Sequence, residues 1–527
     1  MGREPFAAAE PAAIACHCVR PRRVWYMAGD PDANLFMSKL LPRVLVILGI
    51  AVNVVFLFIN LRPERPHLAK LRHAKVLLRA DPWRAKWIEE NELKDFAAVN
   101  HIELELVTAA SFEEVISLLE AEKAHPTGLV LASIDDEIAE ELRKAGALRP
   151  IGAAVPQEEV AAAIAEYTPE AMLPARIDDQ TWYLPRRAEV DIAAYLSPAV
   201  EEAFLHWDED RDGITAALIE ANGVGLPKGY ALKKSPNDWD AYDLFVAGWY
   251  WAHHPAAWAS PRNSIAPRIA LRTGDGEDAV RDLISSFYAH GLKSADLAKK
   301  DDPAVLDALQ WEALLRRHHL LAAACEDPKG IDSDGVNALF KARQLAWAPI
   351  NQEDSLWVHG GSQRDAEPGM SDPQEIGWSV RPRGSSLELA EGAPRRPGRS
   401  FSFTKEQLWA VPVHASDPKL AFELAHFLTQ RGLQQRETEA QGLLPIRRDL
   451  RADYPIVFRL AWMQRLLDAS YRQVTRGSGS VPPALAYAEL DVMYAALRAR
   501  VVYGRPITAP VTLTAITEAV HEVPHGK

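Results

Sequence analysis

Residues Gln180–Pro198, QTWYLPRRAEVDIAAYLSP, gather aromatic, basic and acidic side chains into one short stretch of a chain that is otherwise largely helical in pattern. The triplet Trp182, Tyr183, Leu184 before Pro185 predicts a short strand, stopped by a residue that cannot donate to a ladder. Arg186, Arg187, Glu189 and Asp191 follow, and then a second apolar run begins. We read the stretch as the point where one rigid body hands the chain to another. A pocket between two rigid bodies needs an aromatic wall and a few fixed polar groups. An exposed charged hinge that touches no ligand would carry the same residues, and the stretch alone leaves both readings open.

Working outward, 527 residues are too many for one core, so at least two domains are expected. With 48% hydrophobic and 25% charged residues the composition is that of a globular protein. The net charge of -13 argues against a nucleic-acid partner, which requires a basic face that no region of the sequence supplies. Three cysteines, Cys16, Cys18 and Cys325, make no disulfide framework.

The eighteen residues from Val44 to Leu61 carry no charge, enough for a membrane-spanning helix. They run straight into Asn60-Leu61-Arg62-Pro63 without a small-residue cleavage site, which predicts an uncleaved anchor. Residues 1–43 form its N-terminal flank, in which Met37 offers a second start, and 62–72 form a basic, proline-broken linker. Lysines and arginines flank both sides of the span, so the positive-inside count does not orient it.

Beyond the linker, short apolar runs alternate with amphipathic segments. Val76–Arg79, Ile102–Val107 and Leu129–Ala132 read as strands; Trp83–Val99, Phe112–Ala124 and Asp135–Lys144 read as helices. Strands separated by single helices imply right-handed crossovers and a parallel, doubly wound sheet. Ligands of such sheets sit beyond the carboxyl ends of the strands, which places Asp81-Pro82-Trp83 and Ser133 near any cleft.

Several segments resemble, in order, those of the extracellular solute-binding proteins of ABC importers, in the sugar-binding family that includes maltose-binding protein. They are Leu142–Ile151 (LRKAGALRPI), Ile177–Tyr195, Asp238-Trp239-Asp240, Gly377–Arg383 (GWSVRPR) and Trp409–Pro445. The resemblance implies an α/β, two-lobed periplasmic-binding-protein fold with discontinuous lobes, here preceded by one N-terminal transmembrane helix. Lobe 1 would comprise 73–187 plus 400–445, and lobe 2 would comprise 188–399 plus 446–522. Phe340–Trp357 resembles the segment that lines the family's sugar site, with Trp347 where the family has Met. Aromatic rings against sugar faces, with planar charged and amide groups on the hydroxyls, single out Trp182, Arg187, Glu189, Trp347, Asn351, Trp357 and Trp378 as ligand-binding. Arg186, with Arg187, also suits an acidic ligand, because guanidinium forks match carboxylates. The partners implied are a small solute, a carbohydrate above all, the permease subunits of an ABC transporter, and the inner membrane through the N-terminal helix, with the rest of the chain in the periplasm or outside the cell.

Catalytic and metal signals are weak, and no cofactor is expected. Asp208, Asp210, Asp212 and Gly213 match the opening of a calcium loop, but its twelfth position holds Ile219. The pairs His253-His254 and His318-His319 are adjacent and cannot face one metal from a helix. No phosphate loop or nucleophile elbow is present. The expected function is therefore non-enzymatic capture of a solute for an importer. A membrane-tethered sensory or scaffold protein that keeps the fold is the alternative.

Overall fold

The computed structural model describes residues 72–254, 268–273, 277–327, 329–359, 373–387, 398–480 and 484–523. The apolar run 44–61 lies outside these residues, and no helix among the described residues is long and apolar enough to cross a membrane.

The first strand, β1 (Arg72–Arg79), buries Val76, Leu77 and Leu78 and pairs in parallel with β2 (Ile102–Ala109) and β3 (Leu129–Asp135). The crossovers follow the expected pattern. Helix α1 (Pro82–Ile88) starts on a proline, which has no amide to leave unsatisfied there. The single helix predicted over Trp83–Val99 carries a π-helical turn at Glu89–Leu93 before continuing as α2 (Lys94–Asn100). Helix α3 (Phe112–Ala124) is capped by Ser111, whose hydroxyl accepts from the Glu114 amide, and α4 (Asp136–Lys144) follows β3 directly.

The sheet is mixed, which corrects the expectation of an all-parallel one. Three further long strands are central: β4 (Leu184–Leu196), β6 (Leu345–Asn351) and β8 (Ser402–Pro412), with short strands β5 (Arg268–Ile269) and β7 (Ile376–Ser379). The order is β2-β1-β3-β8-β4-β6-β5, with β7 alongside β4. Contacts of β8 with β3 and β4, and of β4 with β6, are antiparallel. The cause is topological. The late strand β8 inserts between the early strands β3 and β4, so the chain returns across the sheet instead of winding on in one direction.

Strand β4 also corrects the reading of the opening stretch. Pro185 does not stop a strand; it lies inside a thirteen-residue one that is buried along nearly its whole length. A proline can sit in a central strand where a bulge spares it from donating. Here Gln407 of β8 faces Arg187 while Leu408 faces Pro185, so Arg186 is the extra residue of such a bulge. Trp182 and Tyr183 precede the strand.

Candidate functional site

Arg186, Arg187, Glu189 and Asp191 enter β4 as charges in the centre of a sheet, and buried charges persist only when paired. The bulge decides how they pair. In regular strand, neighbouring side chains point to opposite faces. The extra residue breaks that alternation, and Arg186 Nη1 and Arg187 Nε (2.8 Å) both donate to Oε1 of Gln407. Arg186 also donates to Glu437 at 3.2 Å and lies over the Trp409 ring, 5.2 Å from its centroid. Arg187 meets Glu189 at 3.1 Å.

Side chains from the carboxyl ends of β1 and β3 complete the arrangement. Arg79 grips Asp135 with both Nε (2.7 Å) and Nη2 (2.8 Å), and Asp135 accepts from Gln407 Nε2 at 3.3 Å. From the first turn of α1, Arg84 reaches Glu353, just past the end of β6, at 2.8 Å. Glu353 in turn hydrogen-bonds Glu189, and the Asn351 amide donates to Glu189 at 3.5 Å. The result is a polar box, with Arg84, Arg187, Asp135 and Glu189 buried and Arg79 and Glu353 half-buried, tied through Gln407. Nearby, Arg281 meets Glu137 at 2.6 Å and Lys405 meets Asp278 at 3.2 Å.

Electrostatics in the box are uneven. Burial pushes the Glu353 carboxyl up to about 7, against the pull of Arg84 and with the help of neighbouring Glu189. Burial would also raise Glu189, but Arg187 and Arg84 overcome it and hold that carboxyl below its ordinary value. Desolvation and the nearby Arg84 lower the Arg187 guanidinium to about 10. The two carboxyls thus divide one charge, Glu189 keeping it and Glu353 taking a proton near neutrality.

Three donors around the box have no acceptor: Arg84 Nε, Arg187 Nη1 and the Trp83 indole N–H. All three atoms are closed off from solvent, so hydroxyl or carboxylate oxygens of a solute reach them only where the ion pairs around them part.

Of the residues singled out in the sequence, Arg186, Arg187, Glu189 and Asn351 are brought together here. Trp182 is not: its ring packs against the Arg143 guanidinium, 5.4 Å from its centroid, and beside Tyr183. Trp347 and Trp378 are core residues, 1% and 4% exposed. Trp357 is partly buried, with the Lys341 ammonium 4.4 Å from its ring centroid. Sequence reasoning missed Arg79, Arg84, Asp135, Glu353 and Gln407. A signal existed for three of them, since Arg79, Arg84 and Asp135 sit at or just past the carboxyl ends of the predicted strands. The acids Asp208, Asp210 and Asp212 lie on a helical turn, Trp207–Asp210, running into the helix Arg211–Asn222, with Asp210 bonded to His254 at 2.6 Å; this is not the geometry of a calcium loop.

Comparison with known proteins agrees with this architecture. The profile of bacterial extracellular solute-binding proteins matches residues 93–457. No curated protein sequence matches. Among solved structures, maltose-bound MalE3 of T. maritima is similar at TM-score 0.58 and 14% identity, over 85% of this chain and 99% of that one. The cyclic alpha-maltosyl-1,6-maltose binding protein of Arthrobacter globiformis is similar at TM-score 0.58 and 15% identity, over 86% and 99%. An ABC transporter solute-binding protein of Thermotoga lettingae, bound with alpha-D-tagatose, is similar at TM-score 0.57 and 15% identity, over 86% and 98%.

Proposed function

This chain belongs to the bacterial extracellular solute-binding proteins, a family of binders and not of enzymes, and from that premise we propose that it captures a small carbohydrate between its two lobes for an ABC importer. The observation that carries the reading is the box at the carboxyl ends of β1 and β3. It draws in Glu353 and Asn351 from the end of β6 and holds three donors without acceptors. We take residues 73–187 plus 400–445 as one lobe and 188–399 plus 446–522 as the other. On that division Arg84–Glu353, Glu137–Arg281 and Lys405–Asp278 join the lobes, and a solute would compete with these pairs for the closed state. A ligand shifts such an equilibrium only by the contacts it adds in that state.

The apolar run 44–61 supports an uncleaved anchor that would keep the receptor beside permease subunits at the inner membrane, raising its effective concentration there. The structurally similar proteins that bind maltose, a cyclic maltosyl-maltose and tagatose make neutral sugars the first class to test. Sugar acids are the second, because of the arginine forks.

One observation favours a tethered sensory or scaffold protein instead: every arginine of the box already has a carboxylate or amide partner within the chain. A thermal-shift screen over sugars, polyols and sugar acids separates the two. A solute receptor is stabilised by about 2.7 kcal/mol at a hundredfold excess of ligand over Kd. The scaffold reading predicts no response to any of them.

A further inference from the structure

On the division into lobes taken above, the chain crosses from one lobe to the other at 187–188, 399–400 and 445–446. The segments that make these crossings lie side by side: Ala188 of β4 faces Glu406 of β8, and the Ala188 carbonyl accepts from the Leu444 amide at 3.2 Å. A cavity of about 20 Å³ lies at this junction, lined by Thr168, Glu170 and Glu406 from one lobe and by Arg451 and Tyr471 from the other. The last two belong to α5 (Arg448–Val457) and α6 (Ala461–Arg476). What surrounds Glu406 therefore comes from both lobes, and a hinge motion changes it.

Glu406 is 5% exposed, its Oε2 has no hydrogen-bond partner, and among the described residues it pairs with no cation. The cations around it are taken by other acids: Lys405 on its own strand by Asp278 at 3.2 Å, Arg451 by both oxygens of Glu170 at 3.0 Å, and Arg281 by Glu137 at 2.6 Å. Burial pushes the Tyr471 phenol up and keeps it neutral. The groups that do act on Glu406 are carboxyls, Glu170 and Asp136, the second of which accepts from the Glu406 amide at 3.3 Å. A carboxylate buried beside other acids and without a cation takes up a proton. Burial, with Asp136 and Glu170 adding to it, accordingly pushes the Glu406 carboxyl well above the ordinary carboxylate range.

We infer that a proton on Glu406 holds the lobes in the arrangement seen here and that loss of this proton releases the hinge. Movement of Arg451 and Tyr471 with their lobe would let water onto the carboxyl and return it towards its ordinary value. Glu406 thus binds its proton more tightly in the present arrangement, which is favoured at low pH and loses that support as pH rises through the raised value. The inference rests on the division into lobes and not on any solute, so failure of every sugar to bind would leave it standing.

Pulsed EPR on the full chain without solute tests it, with nitroxides at Glu120→Cys and Glu201→Cys, exposed positions on opposite lobes, in a Cys16→Ser, Cys18→Ser background. The protein with Glu406 intact should show an interlobe distance that shifts by several ångströms between pH 6 and pH 9. Glu406→Gln, neutral at every pH, should keep the low-pH distance and lose most of that shift. Asp136→Asn removes a carboxyl that raises Glu406 and should move the midpoint of the shift to lower pH. A Glu406 that served the fold alone would alter the melting temperature and leave the distance untouched. A distance that does not change with pH, or that changes as much in Glu406→Gln, would overturn the inference. If Glu406→Gln does not fold, the titration with Glu406 intact and the midpoint of Asp136→Asn still decide the matter.

Discussion

Glu353 is where pH should be felt in this molecule. Its carboxyl stands at about 7 in the folded protein, above the ordinary carboxylate value of about 4.3 expected once unfolded. The folded state therefore binds the proton more tightly, and the stability that this group contributes is complete below the unfolded value and lost as pH rises through about 7. We predict that the melting temperature of wild type falls more between pH 5 and pH 8 than that of Glu353→Gln, which removes this titration; parallel slopes would show that Glu353 does not titrate there. A residue that only lined a cleft could be removed without cost to the ligand-free protein. Arg187 is not such a residue, because Arg187→Ala strands the buried Glu189 charge. Breaking a buried pair costs about 3–5 kcal/mol, to be read by chemical denaturation. The sequence made Arg186, Arg187 and Glu189 visible as a cluster. It could not show that Arg79, Arg84 and Glu353, distant in the chain, close around them, nor that Trp347 and Trp378 turn into the core.

Strand β4 shows what a one-dimensional pattern conceals at the scale of an element. Proline after an aromatic triplet reads as a stop, yet the partner strand β8 supplies a bulge at Gln407 and Leu408 that accommodates it. That information lies more than two hundred residues away. The β4–β7 pairing contains a second constraint of this kind. Gly377 sits opposite Tyr195, and a Cβ at Gly377 would fall 2.1 Å from the tyrosine ring. Ring and strand can lie this close only because glycine has no side chain. Gly377→Ala should destabilise the fold by about 1–3 kcal/mol, the usual cost of overpacking, and Tyr195→Ala in the same chain should recover much of that loss. Additive losses in the double variant would mean that the two residues are not in conflict. Both lie in segments whose family resemblance was legible, although the reason for the glycine was not.

For the molecule as a whole, alternating strands and helices over residues 72–144 were readable because local periodicity carries them. The insertion of Ser402–Pro412 between early strands was not readable from periodicity, because the strands it joins are more than two hundred residues earlier in the chain. The proposed function requires a solute to bind at the box. Arg84 and Trp182 distinguish that site from others: Arg84 belongs to the box and leaves behind a Glu353 able to take up a proton, whereas Trp182 packs against Arg143. The decisive measurement is calorimetric titration of wild type, Arg84→Ala and Trp182→Ala with the sugar that stabilises wild type most. Binding at the box predicts at least about a tenfold loss of affinity for Arg84→Ala, equivalent to about 1.4 kcal/mol, and near wild-type affinity for Trp182→Ala. Unchanged binding by Arg84→Ala together with loss in Trp182→Ala would contradict it, as would the absence of any sugar that binds wild type.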